Sequence, residues 1–347
     1  MSDSYNEFED RKRDHIRLAL DESAQQLVRS GYSKIKLVHQ ALPEIDYNDV
    51  SLKVKLLGHE VSTPHFVSSM TAGHQDSLKI NRNLALAAAE NGWLMGVGSQ
   101  RRELTDNEAS IEWREIVSSV PDLKLVSNIG ILEVLTQNPE KIMELVVNLN
   151  AIGLYIHLNP LQEVFQNNSY LNFNGALAAI EKLVKQSHVP ILVKEVGFGI
   201  NKDMANSLFD IGVKVVDVSG HGGTHWAKIE ALRQTKESII YNSADAFADW
   251  GYSTVDCLLD LQDQVLFHQI WASGGIRSGV DSAKCMALGA RAVGIAQPLM
   301  KAALVGANEV GHAMREFDFQ LKTALFCMGI KRCEELLHKK VWYGPFG

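Results

Sequence analysis

Short apolar runs alternate with amphipathic segments along most of the chain. Runs that are apolar on both faces are typical of buried strands in a parallel sheet. Eight of them are rich in β-branched and aromatic residues, and they centre on Phe66, Met95, Val126, Ile156, Val193, Val216, Trp271 and Val293. Eight strands that alternate with helices predict an α/β fold, a TIM (β/α)8 barrel.

The segments between these runs carry apolar residues at the spacing of one helix face. They predict helices at Ser77 to Asn91, Glu133 to Asn150, Gly175 to Gln186, Asp203 to Ile211, Val255 to Gln262 and Gly279 to Leu288. The longest gap runs from Thr224 to Thr254, between the sixth and seventh strands. An insertion at this point would lie over the mouth of the barrel.

The first 58 residues precede the regular alternation. A basic cluster, Arg11 to His15, begins a predicted helix that ends near Ser30, and short strands or irregular structure follow from Leu42 to Leu57. Basic side chains at a helix start oppose the helix dipole, which indicates either an anionic partner or a solvated charged face. We predict an N-terminal extension at residues 1–58 and a single barrel domain at residues 59–347.

Composition narrows the class of protein. The 347 residues are 46% hydrophobic, and 34 Lys and Arg against 41 Asp and Glu give a net charge of −7, which disfavours nucleic acid and anionic membranes as partners. The four cysteines, Cys257, Cys285, Cys327 and Cys333, lack the paired spacing of a metal site. Without a leader-like or membrane-spanning apolar run, the expectation is a soluble cytoplasmic protein.

A glycine turn at Gly274 and Gly275 stands between a predicted strand and a predicted helix. The first amides of a helix in this position should be unpaired and should attract phosphate. In (β/α)8 barrels a phosphate site often lies between the loops after the seventh and eighth strands. The alternative is an ordinary βαβ unit in which the glycines only turn the chain.

Polar residues at the carboxyl ends of barrel strands line the active-site face. Seven of the eight predicted strands end in a donor, an acceptor or a charge, and the eighth ends at Ala296 and Gln297. The other strand ends carry Ser69 to Thr71, Ser99 to Arg101, Asn128, His157 with Asn159, Lys194 with Glu195, Ser219 to Thr224, and Gly274 to Arg277.

Lys194 lies in a strand apolar enough to be buried on both faces, where a charge is costly without a partner. Because Glu195 should point to the other face, we expect the partner to be a ligand in the barrel mouth, such as the anionic ring of a reduced flavin. The alternative is a carboxylate in the core.

Four candidate side chains, His157, Asn159, Gln162 and Glu163, stand within seven residues in IHLNPLQE. Since Pro160 should prevent a regular helix, we predict a tight loop. One carboxylate among neutral amides suits Mg²⁺, which keeps waters and binds substrate phosphates, whereas zinc is disfavoured. Alternatively, Glu163 only stabilises the start of the following helix.

Nine segments together resemble the type 2 isopentenyl-diphosphate isomerases, which are FMN-dependent (β/α)8 barrels. In chain order they are RKRDHI, HQALPEID, SSMTAG, GVGSQR, SNIG, HLNPLQE, VKEVGFG, GGTHWAKIE and ASGGIRSG. The resemblance implies interconversion of isopentenyl and dimethylallyl diphosphate in isoprenoid biosynthesis, by a flavin-assisted 1,3-allylic proton shift. It also implies NADPH as the reductant of FMN, and a homo-oligomer, either a tetramer or an octamer.

The resemblance assigns roles residue by residue. Gln162, His157 and Lys194 would be catalytic, and Glu163 would carry Mg²⁺. The substrate diphosphate would be bound by Arg11, Lys12, His15, Ser99, Gln100, Arg101, His157 and Asn159, and Gln162 would lie beside the isoprene carbons. FMN would be held by Ser69, Met70, Thr71, Ser99, Asn128, Lys194, Ser219, Thr224, Gly275, Ile276, Arg277, Ala296 and Gln297.

Two segments depart from the family pattern. Ala72 stands where the family often has glycine, a change that is tolerable if the backbone φ there is negative. His221 and His225 stand where the family often has alanine and serine, and the sequence leaves their role open.

Two other classes of function compete with the isomerase. An FMN-dependent 2-hydroxy-acid oxidase or dehydrogenase shares a His-Gly-Gly element, but Thr224 stands where such enzymes carry a carboxylate-binding arginine. A non-catalytic flavin-binding or phosphate-binding barrel would be expected to lack Gln162, Glu163 and the Arg11-Lys12 pair. A dehydrogenase with a nucleophilic cysteine is disfavoured because no cysteine stands at a predicted strand end.

Overall fold

Eight parallel strands form the centre of the computed structural model, which describes residues 14–26, 30–70, 75–166, 171–265 and 268–344. Each predicted strand centre falls within one of them, and so the predicted fold class is confirmed. The barrel strands are β4 (His65–Val67), β5 (Leu94–Gly96), β6 (Leu125–Gly130), β7 (Gly153–His157), β8 (Ile191–Lys194), β9 (Val215–Asp217), β10 (Gln269–Trp271) and β11 (Val293–Ile295).

The strands pair in chain order from β4 to β10, and β11 pairs with β4. The seventh and eighth strands meet through a parallel bridge between Ala272 and Val293, which brings the sheet round to a nearly closed barrel. Phe66, Tyr155 and Trp271 fill its interior with large side chains. All eight carboxyl ends therefore open on one face, where ligands bind in barrels of this kind.

Helices connect the strands on the outside of the barrel. They are α1 (Gln75–Asn91), α2 (Asn107–Ser119), α3 (Ile131–Thr136), α4 (Pro139–Asn148), α5 (Pro160–Phe165), α6 (Ala176–Gln186), α7 (Lys202–Asp210), α8 (Trp226–Leu232), α9 (Ile239–Ser243), α10 (Thr254–Asp260), α11 (Gly279–Ala287), α12 (Gln297–Ala303) and α13 (Ala307–Cys327). Among the described residues, no helix is both long and apolar enough to cross a membrane.

Two of these helices correct the prediction of one helix from Glu133 to Asn150. Helix α3 ends at Thr136, and the side chain of Asn138 accepts a hydrogen bond from the Glu140 amide to cap α4. Pro139 then occupies the first turn of α4, where its missing N–H costs nothing. Helices α2 and α13 were not predicted at all.

The N-terminal extension lies on the barrel. Residues 14–19 are helical, but the predicted continuation to Ser30 is wrong because Asp21 caps a separate 3-10 helix, Glu22–Ala24. Tyr32 and Ile35 are buried in the main hydrophobic core. Two short sheets complete the fold: β1 (Lys36–Leu37) pairs with β12 (Trp342–Tyr343), and β2 (Val54–Leu56) pairs with β3 (His59–Val61).

A buried polar cluster joins α13 to the first barrel strand. The Asp318 carboxylate accepts hydrogen bonds from the Thr63 hydroxyl at 2.7 Å and from the Trp93 indole N–H at 3.0 Å, and His65 Nδ1 lies 2.7 Å from it. His65 and Trp93 are almost completely buried, so these groups depend on Asp318 for partners. The cluster fixes the last long helix against the start of the barrel.

We expect Asp318→Ala to lower the free energy of unfolding by about 2–4 kcal/mol, because it leaves buried donors without an acceptor. Urea titration followed by circular dichroism would measure the change. Asp263→Ala is the matched control, since it removes only the exposed ion pair with Lys202 and should cost less than about 0.5 kcal/mol. Equal losses in both variants would contradict this view of the cluster.

Candidate functional site

One cavity opens at the carboxyl ends of the strands, and it collects most of the residues predicted from the sequence. The predicted residues that line it are His15, Ser69, Met70, Ser99, Arg101, Asn128, His157, Asn159, Gln162, Glu163, Lys194, Ser219, Thr224, Gly275, Ile276, Arg277, Ala296 and Gln297. They come from every barrel strand and from the N-terminal extension. Trp226, from the insertion after the sixth strand, also lines the cavity, as expected of an element over the barrel mouth.

The loops after the sixth and seventh strands form one wall of this cavity at very close range. A Cβ atom at Gly274 would lie 2.1 Å from the Gly220 carbonyl oxygen, and one at Gly275 would lie 2.7 Å from the Gly222 carbonyl group. Both Gly274 and Gly275 have positive φ angles, of 96° and 74°. Only glycine fits at these positions, and the main chains of the two loops can therefore pack directly against each other where they line the cavity.

Helix α11 follows the glycine turn as predicted, but its first amides are not left unpaired. The Gly279 amide donates to Gln320 Oε1 at 2.7 Å, and the Asp281 amide donates to the Ser278 hydroxyl at 3.1 Å. The prediction of an anion site made by the helix terminus itself is therefore wrong. The cavity is instead lined by the turn, Gly274 to Arg277, with the Arg277 guanidinium as its cation.

Lys194 lines the cavity and is 5% exposed. Its ammonium group donates to the Glu195 carbonyl oxygen at 2.6 Å, while the Glu195 carboxylate accepts from the next backbone amides. Asp217 is the register neighbour of Lys194 on the adjacent strand, and it is completely buried. The core carboxylate considered as an alternative partner is thus present, although Lys194 also faces the cavity.

Burial lowers the pKa of Lys194, and attraction to Asp217 and Glu195 opposes that change. Burial likewise raises the pKa of Asp217, against the attraction of Lys194 and hydrogen bonds that include one from Ser273. The pKa of Glu195 rises to about 7, again chiefly because the carboxyl group is buried. This part of the barrel mouth holds three ionisable groups whose charges depend on one another.

The second half of the IHLNPLQE segment, from Pro160 onward, is helical and not the predicted loop. Pro160 occupies the first turn of α5, where its fixed φ angle suits the helix and its missing N–H breaks no hydrogen bond. Asn159 precedes it, and its side-chain amide donates to Glu163 Oε1 at 2.8 Å and to Gln162 Oε1 at 3.3 Å. The helix thus turns Gln162 and Glu163 toward the cavity together.

Glu230 on helix α8 is a central site residue that the sequence reasoning missed. It is completely buried, and one of its carboxylate oxygens accepts from Gln162 Nε2 at 3.0 Å and lies 2.9 Å from His15 Nε2. Its other oxygen accepts from Arg233 at 3.2 Å. Glu230 stands on the same helix face as Trp226, four residues earlier, a spacing that could have indicated its direction once a helix was assigned there.

Arg101 lies between two carboxylates near the same helix. Its guanidinium is paired with Glu133, and Nη2 lies 3.7 Å from Glu163 Oε1. Burial raises the pKa of Glu133, although the Arg101 charge opposes the rise. The Glu163 carboxylate, on a residue that is only 2% exposed, therefore has the Arg101 guanidinium as a nearby cation.

The N-terminal extension is attached to the glycine-rich wall. Gln25 accepts from Arg277 Nη2 at 2.8 Å and donates to the Thr224 hydroxyl at 3.2 Å. Tyr32 donates to the Gly274 carbonyl oxygen at 2.8 Å. These bonds hold the segment that carries His15 beside the cavity.

Some of the predicted residues either do not line the cavity or fall outside the described residues. Gln100 does not line the cavity: it is buried, and its amide oxygen accepts from the Ser127 hydroxyl and the Asn128 amide. The bond to Gln100 helps to fix Asn128, and the Oδ1 atom of Asn128 lies 3.0 Å from Nδ1 of His157, a residue that lines the cavity. The predicted residues Arg11, Lys12 and Thr71, and the departure at Ala72, lie outside the described residues.

The cavity wall fits the groups that a flavin mononucleotide presents. Main chain at close range, with Arg277 beside it, suits a terminal phosphate, while Ser69, Asn128 and Lys194 supply polar atoms for the edge of a ring. The donor set for a metal is sparse. Within the described part of the chain, no three His, Cys, Asp or Glu side chains form a group that could hold a metal ion, so Glu163 fits only an ion bound mainly by water and substrate oxygens.

The sequence profile of the FMN-dependent dehydrogenase family matches residues 152–343. Solved structures with this fold include a flavocytochrome b2 variant with pyruvate bound (TM-score 0.69, 18% identical, covering 96% of this chain and 82% of that chain). A mandelate oxidase with benzoyl-formic acid is also similar (TM-score 0.63, 19% identical, 98% and 97% covered). At this identity, the structural likeness concerns the fold.

Proteins with a higher sequence identity to this chain carry a different name from these structural neighbours. A protein of Bdellovibrio bacteriovorus named isopentenyl-diphosphate delta-isomerase is 42% identical over 345 residues, which cover 98% of this chain and 99% of the relative. A protein of Oceanobacillus iheyensis with the same name is 39% identical over 328 residues, or 94% and 93% of the two chains. The chain described here belongs to the isopentenyl-diphosphate delta-isomerases, in their FMN-dependent, type 2 form.

Proposed function

We propose that the chain interconverts isopentenyl diphosphate and dimethylallyl diphosphate, with FMN as cofactor. The observation that carries the proposal is the convergence of Gln162, Glu163 and Lys194 on one cavity, beside a glycine-rich wall suited to a flavin phosphate. Relatives that carry the isomerase name match this chain over nearly their full length.

The reaction moves a double bond by adding a proton at one carbon and removing another across the allyl unit. Ordinary side chains near neutral pH are poor acids toward an unactivated alkene. When bound in its reduced form, FMN supplies a group that can give a proton to carbon and recover it without net oxidation. The protein's own residues then have to orient the substrate, stabilise charge and handle the second proton.

Lys194 would stabilise negative charge on the cofactor ring, a role supported by its buried position facing the cavity, where a charge is only weakly screened. Gln162 is our candidate for the second proton transfer. Its amide is held by Glu230 on one side and Asn159 on the other, so its orientation is fixed before substrate arrives. His157 is oriented by Asn128 and completes this part of the site.

The diphosphate would lie between helix α5 and the N-terminal extension. Glu163 would hold Mg²⁺ on the diphosphate, and Arg101 and His15 would contact its oxygens from the two sides. Arg11 and Lys12 would add two more cations. Negative charge held close to the carbon chain offsets positive charge that develops at the tertiary carbon during protonation.

The competing 2-hydroxy-acid oxidase is supported only by proteins of the same fold at 18–19% identity. Thr224 lines the cavity where such an enzyme would need an arginine for the substrate carboxylate. The isomerase therefore accounts better for the residues present.

The remaining proposals concern the division of the chain, the reductant, the oligomeric state and the cellular location. We propose that residues 1–58 form an extension that contributes substrate-binding groups to a barrel at residues 59–347, and that NADPH reduces the flavin. A homo-oligomer is supported by exposed apolar side chains such as Ile239 and Trp250 in the insertion, which would be covered by a second copy. The cytoplasm is the proposed location, in keeping with four free cysteines.

The cofactor proposal predicts that activity depends on reduced FMN without consuming it. Oxidised enzyme should be inactive until NADPH or dithionite is added, and product formed in deuterium oxide should carry solvent deuterium. Anaerobic turnover followed by NMR would measure both. Full activity of the oxidised enzyme, or consumption of reductant in proportion to product, would refute the proposal.

The metal assignment predicts that Glu163→Gln raises the Mg²⁺ concentration for half-maximal activity at least about tenfold, because one of few protein oxygens on the ion is lost. FMN absorbance should be unchanged. Glu133→Gln is the matched control, since Glu133 also contacts Arg101 but does not line the cavity. A similar Mg²⁺ requirement in both variants would show that Glu163 serves only the helix.

The role of Glu230 predicts that Glu230→Gln lowers kcat by about 10–100-fold, because a small displacement of a positioned group such as Gln162 costs up to about 100-fold in rate. The KM for the diphosphate should rise by a smaller factor than kcat falls, because Glu230 also holds His15, a proposed substrate-binding residue. The exposed Glu60→Gln variant is the control and should match the wild type. Steady-state kinetics at saturating Mg²⁺ would test this, and an unchanged kcat would remove Glu230 from the site.

A further inference from the structure

The histidine that departs from the family pattern before helix α8 is buried and uses both ring nitrogens. His225 is 4% exposed and occupies the N-cap position, where its Nδ1 accepts from the Lys228 amide at 3.1 Å. Its Nε2 lies 3.1 Å from the carbonyl oxygen of Phe247. Because a carbonyl oxygen can only accept, Nε2 carries the proton and Nδ1 does not, and so the ring is held as one neutral tautomer.

The backbone of His225 joins a third segment. Its amide donates to the Ala24 carbonyl oxygen at 2.8 Å, which ties helix α8 to the N-terminal extension. The Phe247 contact ties the same residue to the 3-10 helix Ala244–Phe247 of the insertion. The ring also packs edge-on against Phe198, with 5.1 Å between centroids. Three separate segments therefore meet at one residue, through its backbone amide and its ring.

Helix α8 is only seven residues long, and its orientation therefore depends strongly on how its first turn is held. The helix carries Trp226, whose ring meets that of His15 edge-on at 5.4 Å, and Glu230, which holds Gln162. A serine at the N-cap would supply the cap acceptor but could not also reach across to Phe247. The histidine does both.

We propose that His225 is a positioning residue for the reaction. As the neutral Nε2–H tautomer, it caps helix α8 and ties this helix to Phe247. In this way it keeps Glu230 within hydrogen-bonding distance of Gln162. The proposal rests on the isomerase function for its kinetic consequence. Its structural part is independent of any activity.

The kinetic test compares three variants at saturating FMN and Mg²⁺. His225→Ala should lower kcat at least about tenfold, because small displacements of a positioned group cost up to about 100-fold in rate. His225→Ser restores only the cap acceptor and should recover part of this loss, because the bond to Phe247 is still missing. Asn201→Ala is the matched control. It removes the cap of α7, a helix without site residues, and should lower Tm by about 1–3 °C while leaving kcat within about twofold of wild type.

Two readouts do not depend on turnover. Hydrogen exchange of residues 226–232, measured by mass spectrometry, should be faster in His225→Ala than in wild type and largely restored in His225→Ser. Nitrogen-15 NMR of histidine-labelled protein should show a signal for an unprotonated Nδ1 that disappears in either variant. These would stand even if the wild type showed no isomerase activity, which would refute the proposed function alone.

Three results would overturn the proposal. The first is a kcat in His225→Ala within about twofold of wild type, with a loss of Tm like that of Asn201→Ala. The second is a folded His225→Ser variant that is as slow as His225→Ala, which refutes the cap, or as fast as wild type, which refutes the tie to Phe247. The third is an NMR signal for a protonated Nδ1 in the wild type, which applies even if His225→Ala fails to fold.

Discussion

A carboxylate sealed from water must be surrounded by donors, and Glu230 imposes this requirement on the mouth of the barrel. Its partners come from three separate places in the chain: His15 from the N-terminal extension, Gln162 from the helix after the fourth strand, and Arg233 from the end of its own helix. Removing any one of them would leave a buried charge with fewer donors. Gln162, the proposed proton-transfer group, and the N-terminal extension are therefore held by the same buried carboxylate.

The barrel could be predicted because its signal is local. Each strand is a short run buried on both faces, and each predicted centre, such as Val126 or Trp271, falls inside an observed strand. Two of the errors concern proline, which the sequence reasoning treated only as a helix breaker. Pro139 and Pro160 both begin helices, and the second error hid the arrangement that aligns Gln162 with Glu163.

The site could be predicted only as far as strand ends reveal it. Lys194 and Asn128 lie near the carboxyl ends of their strands and Arg277 follows a strand, whereas Glu230 lies on a seven-residue helix in the insertion that the sequence did not lead us to predict. Asp217 was passed over because it ends an apolar strand without reaching the cavity lining. The partners of Glu230 are 68 and 215 residues away along the chain, a relation that local patterns do not contain.

The pairing of the first and last segments has a consequence for synthesis on the ribosome. The barrel strand that leaves the ribosome first, β4, pairs on one side with β11, and within the described residues the short β1 pairs with β12, which lies at residues 342–343. Until those residues emerge, both strands have an open edge, and an open edge can pair with another chain. During most of its synthesis, the growing polypeptide therefore has a sheet that cannot close. Protection of the open edge by chaperones matters more for this fold than for one whose early strands pair only with each other.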